Sequence, residues 1–283
     1  MPSKHPPRPR VPTDAELDRD ADTLDQLATD PRLISGVYNY CDRWCERCAL
    51  TERCLSFRMD AETARRRGTE GKRAGLDARS FWDDIARSFA LARRLVEREA
   101  RRQGIDLDSA ESLIEAEREE RQRRRLAARQ GSVLHQAATA YWKEGKSLLD
   151  RLRPELADTA AELRSQARLG AGQPEETAAT IRDGLEVVQW YMFFIDVKLQ
   201  RAVSSRVDEA RDGDDGFPSD ADGSAKIALV AIDRSIGAWA RLREHLTGHA
   251  DAILDRLVEL ERLRRAVERE FPRARAFKRP GFD

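Results

Sequence analysis

The sequence predicts an all-α protein: a multi-helix bundle of about six to eight helices built mainly from residues 78–271, with an N-terminal cysteine-rich helix packed on it. Three observations carry this. From residue 78 onward apolar residues recur at spacings of three and four. The stretch VVQWYMFFIDVKL, within 174–211, is apolar almost all round, as a helix at the centre of a bundle must be. No alternation of strands and helices runs along the chain.

Composition narrows the class. Of 283 residues, 40% are hydrophobic and 36% charged, so the helix surfaces are unusually charged. Lys and Arg number 51 and Asp and Glu 51. That zero balance gives no global attraction to nucleic acid or to an anionic membrane. No apolar run approaches the ~18 residues of a membrane span and no signal-peptide core is visible, so a cytoplasmic protein is expected.

Residues 1–12, MPSKHPPRPRVP, are proline-rich and basic and read as a disordered tail. Residues 13–77 are expected to hold the N-terminal helices with the cysteine site. Thr13 and Glu16 form a capping box for a short helix to about Ala28. Asp30-Pro31 then reads as N-cap and first position of a second helix. After Cys54 comes a short helix, and then a basic loop with Arg65, Arg66, Arg67, Lys72 and Arg73, which reads as a solvated face.

In the bundle, Phe81, Trp82, Ile85, Phe89, Ala92 and Val96 trace a stripe over 78–103, ended by Gly104. Residues 107–130 are helical by propensity but nearly all charge, an arm that buries little. Leu134, Ala137, Tyr141, Leu148 and Leu152 mark a core helix over 132–152, which Pro154 is expected to stop before a small helix to Leu169. LGAGQP turns into the long helix 174–211. Residues 212–223 read as a loop without the ligand spacing of a calcium-binding EF-hand. Core helices follow at 224–246 and from Thr247-Gly248 to about Phe271, and 272–283 reads as a loose basic tail.

All four cysteines fall in YCDRWCERCALTERC, as Cys41, Cys45, Cys48 and Cys54, with the spacing C-x3-C-x2-C-x5-C. On a helix Val37, Tyr38, Cys41, Trp44, Cys45 and Cys48 share one face, and Cys54 returns from the following loop. Buried free thiols and disulfides are the alternatives. Clustering opposes the first and the absence of a secretory signal opposes the second. A bound metal or cluster is the better reading.

Zinc needs its four sulfurs about 3.8 Å apart, given Zn–S bonds of ~2.3 Å. A straight helix separates the Cα atoms of Cys41 and Cys48 by ~10.5 Å in height. A [4Fe–4S] cluster spreads its ligands farther and is favoured on that argument, with Zn2+ as the alternative.

The last three cysteines, C-x2-C-x5-C, resemble the cluster loop of endonuclease III-type DNA glycosylases, although the first spacing here is three residues rather than six. They also look like a triplet in cluster-bearing nucleases. The first three, C-x3-C-x2-C, match the radical-SAM triplet, but the barrel of that family has no counterpart in the pattern. GVYNYCDRWCERC, with the later WYMFFIDVKLQRA, resembles a group of uncharacterised bacterial all-helical proteins sharing a YCDxWCERC motif. That resemblance implies a family and no activity.

A di-iron bundle would need Glu three residues before a histidine on two helices. Those positions before His135, His245 and His249 are Ser132, Leu242 and Leu246. A less regular second metal site from Glu144, Glu186, Asp196, Asp233, His245 and His249 stays open beside the preferred reading, in which the acids pair with Lys198 and arginines. Gly170-Ala171-Gly172 is similar to the hairpin of glycosylase DNA-binding motifs, but Pro174 argues for an ordinary connection. No P-loop, dinucleotide fingerprint or nucleophile elbow is present.

The expected function is thus a cytoplasmic iron–sulfur protein serving redox chemistry or electron transfer with a protein partner. A structural zinc protein that binds a partner is the alternative, and nucleic-acid binding through arginines the third. Whether the chain is an enzyme is left open.

Overall fold

The computed structural model describes residues 10–66, 78–213 and 218–283. Among these are eight α-helices and no strand, so the all-α expectation holds. None of the helices is long and apolar enough to cross a membrane. The chain divides into two compact units, Met1–Arg118 with Pro280–Asp283, and Glu119–Arg279. Helix 78–103 therefore groups with the cysteine segment rather than with the bundle.

In the first unit α1 (Asp14–Ala28) starts as the sequence predicts. The Glu16 amide donates to Thr13 Oγ1 at 3.3 Å, and the Thr13 amide donates to Glu16 Oε2 at 2.9 Å. α2 spans Leu55–Arg66 and α3 Ala78–Gln103. α3 meets α1 through charge. Arg94 grips Asp18 with two bonds of 2.8 Å, Arg98 reaches Asp22 at 2.5 Å, and Arg87 reaches Asp20 at 2.7 Å.

The predicted stripe on α3 does not form a core. Phe89 is 74% exposed, Val96 57% and Trp82 40%, while the side chain of Phe81 lies outside the described residues. Periodicity placed these residues on one face, but the opposite arginines found carboxylates on α1, and that pairing set the packing. Of the basic run after Cys54, Arg65 pairs with Glu62 at 2.8 Å; the side chain of Arg66, and Arg67, Lys72 and Arg73, lie outside the described residues.

α4 (Leu107–Gly131) crosses the boundary between the units. In the second unit its arginines descend the end of α6 in register. Arg121 pairs with Asp212 at 3.2 Å, Arg125 with Asp208 at 2.5 Å, and Arg129 Nε donates to Ser204 Oγ at 2.7 Å. Each step is four residues on both helices, one turn, in opposite directions.

Four helices then close a ring: α5 (Val133–Leu169), α6 (Pro174–Asp212), α7 (Asp220–His245) and α8 (Ala250–Glu270). Leu134, Ala138, Tyr141, Gly145, Leu148 and Leu152 of α5 are buried at steps of four and three, the seam of antiparallel bundles. The buried alanine is Ala138 rather than the expected Ala137, which is exposed. Gly145 admits Met192, whose Sδ lies 2.6 Å from where a Cβ would stand.

Pro154 does not stop the helix. α5 runs through it for 37 residues. A proline inside a helix costs ~3 kcal/mol, and packing on both sides holds it here. Leu152 is fully buried, while the Glu155 carboxylate accepts from the Gly248 amide at 2.9 Å and from His249 Nδ1 at 2.7 Å. Gly170, left-handed at φ 64, caps the helix, and Pro174 opens α6.

The central helix is α7 as much as α6. Gly223, Ser224, Ala225, Ala228, Ala231, Ser235 and Ala238 are all buried, small residues that let α6 come close. α7 also begins at Asp220, inside the stretch read as a loop, because Ser219 caps it by accepting from the Asp222 amide at 3.0 Å. Trp190, Phe193 and Val197 of α6 are exposed at 37%, 58% and 42%, so that helix is not enclosed on every side.

At the core, Trp239 Nε1–H donates to the Tyr141 hydroxyl at 3.1 Å. Burial pushes the Tyr141 phenol up to about 12 from 10.0. An acid whose pKa is raised in the fold stabilises it below the unfolded pKa and loses that contribution as pH rises through the folded one. Stability is expected to fall by ~3 kcal/mol between about pH 10 and 12 on this account. Tyr141→Phe should flatten that slope, as followed by urea titration at each pH.

The stretch 272–283 is packed rather than loose. Ala274 is fully buried, and Arg275 binds Asp233 at 2.6 Å and Glu268 at 2.9 Å. Residues 280–283 join the first unit.

Candidate metal centre

The segment that bears the cysteines is not a helix. After α1 the Asp30 carboxylate accepts from the Arg32 amide at 2.9 Å and from its guanidinium at 2.7 Å, so Asp30-Pro31 makes a local turn instead of a helix start. Turns follow through Asn39, with Gly36 at φ 71. Arg43, at φ 58, is the non-glycine residue with positive φ among the described residues, and it interrupts any helix between Cys41 and Cys45. Its guanidinium donates to Ser56 Oγ at 2.9 Å, which holds the backbone in that state.

Two matched turns come next. Cys45–Arg47 is a three-residue 3-10 turn closed by the Cys48 amide on the Cys45 carbonyl at 3.2 Å. Thr51–Arg53 repeats it, closed by the Cys54 amide on the Thr51 carbonyl at 3.2 Å. Each delivers a cysteine in extended backbone, Cys48 at φ −96 and Cys54 at φ −108. The Ile34 amide reaches the Arg53 carbonyl at 2.9 Å and closes the loop. Arg47 covers the Trp44 ring, 4.1 Å from its centroid.

All four cysteines are half-buried and border one small cavity. Val37, Trp44, Leu50, Phe57 and Phe282 wall it. The Leu50 amide points at Cys48 Sγ from 3.3 Å, a donor that would stabilise a thiolate there. Burial pushes the Cys45 thiol up, and the neighbouring thiols of Cys41, Cys54 and Cys48 add to it. Asp60 is pushed up by burial, against the pull of Arg43. As they stand, no three Cys, His, Asp or Glu side chains among the described residues converge as a single-ion site.

Phe282 is the wall residue that sequence reasoning missed. It lies 228 positions beyond Cys54 in the chain, in a stretch dominated by charge. Gly281 brings it in: at φ 77, with a Cβ that would stand 2.8 Å from Ile34 Cδ1, that position suits only glycine. The signal was an apolar Gly-Phe pair after a basic run.

The second metal site considered in the bundle does not assemble. Glu144 pairs with Arg256 at 2.5 Å, Asp233 with Arg275, and His249 with Glu155. Glu186 is exposed rather than enclosed by aromatics. Asp196 is buried, at 3% exposure, but its partners are neither Lys198 nor an arginine. It accepts from His135 Nδ1 at 2.7 Å and Gln200 Nε2 at 3.1 Å, with Thr139 Oγ1 at 3.5 Å. Lys198 lies over the Phe194 ring at 5.2 Å. Asp196→Ala is expected to cost ~2–3 kcal/mol by leaving His135 and Gln200 without an acceptor, and Asp196→Asn less. Bound metal should not change in either, which denaturant unfolding and metal analysis together check.

Four arginines of α4, read from the sequence as an exposed charged arm, are engaged within the protein. Arg121 and Arg125 hold α6, and Arg123 and Arg124 hold Glu120 at 2.9 and 2.7 Å.

What fold and site define is an all-α protein with four cysteines bordering one small apolar cavity. No protein-family model, curated protein or solved structure matches the chain, so the reading rests on this chemistry.

Proposed function

We propose that the chain is an iron–sulfur protein whose Cys41, Cys45, Cys48 and Cys54 hold a [4Fe–4S] cluster that serves redox chemistry or electron transfer with a protein partner. The observation that supports it is that all four cysteines border one small cavity, walled by Val37, Trp44, Leu50, Phe57 and Phe282. All-thiolate ligation in an apolar surround, with an amide aimed at a sulfur, is how proteins hold such clusters and set their potentials. When bound, the cluster supplies a one-electron redox site. Within the chain, Phe282 and Trp44 wall the cavity on which the cysteines border, and the two 3-10 turns lead into Cys48 and Cys54. Unpaired thiols accord with a reducing, cytoplasmic setting.

Zinc is the second reading, and the loop removes the argument against it. With no helix between Cys41 and Cys48, the steric objection to a small ion is gone, and C-x2-C turns suit tetrahedral sites. Purification without oxygen decides. A brown protein with about four iron and four sulfide per chain is expected. A colourless protein with one zinc removes the cluster and leaves a structural centre that ties the loop together.

A further inference from the structure

We propose that the projecting end of the α5–α6 hairpin is the contact surface for a second copy of this chain, joined as an antiparallel, two-fold symmetric four-helix bundle. α5 has 37 residues and α6 39, so they run about 55–58 Å, whereas α7 with 26 and α8 with 21 span about 39 and 31 Å. The ring therefore loses two of its four helices near its end. Toward that end Glu155 meets Gly248 and His249, Leu242 packs on Gly184, and Arg241 reaches Asp183 at 3.2 Å. Past these contacts both helices run on to the turn at Gly170.

The apolar seam does not stop at these contacts. Leu156, Ala160 and Leu163 continue it on α5, and on α6 Ala178 extends the line of Ile181 and Leu185 toward the turn, again at steps of four and three. They line an open groove of about 460 Å³. A hairpin whose seam outruns the two shorter helices has room for what a second such hairpin would supply.

Charge at the rim says which partner fits. Arg164, Glu175 and Arg182 border the groove, and Glu175 and Arg182 lie seven residues apart on α6, about 10.5 Å, too far to pair with each other. In an antiparallel two-fold contact residue i meets j and j meets i, so Glu175 of each copy meets Arg182 of the other. The same patch is thus complementary to itself. It is also small, which points to a weak dimer that depends on concentration.

The test is the mass of the full chain by sedimentation equilibrium over a hundredfold concentration range. A monomer–dimer equilibrium is expected. Leu163→Glu, on the half-buried face, should abolish the dimer while leaving the circular dichroism and melting of the monomer in place. Glu175→Arg or Arg182→Glu alone should weaken the dimer about tenfold, and the two together should restore it. A chain that stays monomeric throughout overturns the proposal. So does a dimer that Leu163→Glu leaves intact, and failure of the double reversal to restore association overturns the antiparallel arrangement.

Discussion

Serine at Cys41, Cys45, Cys48 or Cys54 is expected to empty the centre. Each substitution removes one thiolate of a set in which all four border one cavity, and an alkoxide-type ligand is a poor replacement. Metal content should fall to a minor fraction of the wild type, with the visible absorption of a cluster lost in parallel. The helices α5–α8 have their own core, so far-ultraviolet circular dichroism should stay largely in place. The first unit should loosen, because a metal bound only by the folded loop stabilises that loop by mass action. Phe282→Ala separates shielding from ligation. It should leave the metal stoichiometry whole while a cluster is lost faster in air, since it removes a wall and no sulfur. Full metal content in Cys54→Ser would take that residue out of the set.

The bundle was the legible part. Burial of α5–α8 follows the spacing of Leu134, Tyr141, Leu148, Ile227 and Trp239, because packing against neighbours on every side leaves a periodic trace. The cysteines were legible as a group and not as a conformation. A helical wheel puts Cys41, Cys45 and Cys48 on one side, but a loop that folds around a centre must also point them one way, and the pattern cannot separate the two. What separates them is backbone chemistry at Asp30, Gly36 and Arg43, where local carboxylate bonds and positive φ replaced the helix. Losing that helix also removed the geometric reason for preferring a cluster to zinc. Pro154 misled in the opposite direction: a local rule was overridden by Leu152 and Glu155 on either side. On α3 the apolar stripe was visible and the arginine ladder to α1 was not, since ion pairs between helices distant in sequence leave no periodic mark. Phe282 was hidden for the same reason.

Trp239→Ala is expected to be the most damaging single change in the bundle, at about 4 kcal/mol. The side chain is fully buried, on the helix with the largest share of buried residues. Three losses add: the transfer free energy of a large ring, the contacts around an unfilled cavity, and the bond to Tyr141. The last leaves the Tyr141 hydroxyl buried without its donor. A domain of ordinary stability has ~5–15 kcal/mol in total, so this one change takes a large fraction of it. Trp239→Phe keeps most of the ring and loses the N–H, and should cost about half as much. Combining each with Tyr141→Phe isolates the hydrogen bond, whose coupling should come to ~1 kcal/mol. Urea midpoints for the three single and two double variants measure all of this. A loss below ~1 kcal/mol for Trp239→Ala would mean that α7 is not the centre of the bundle.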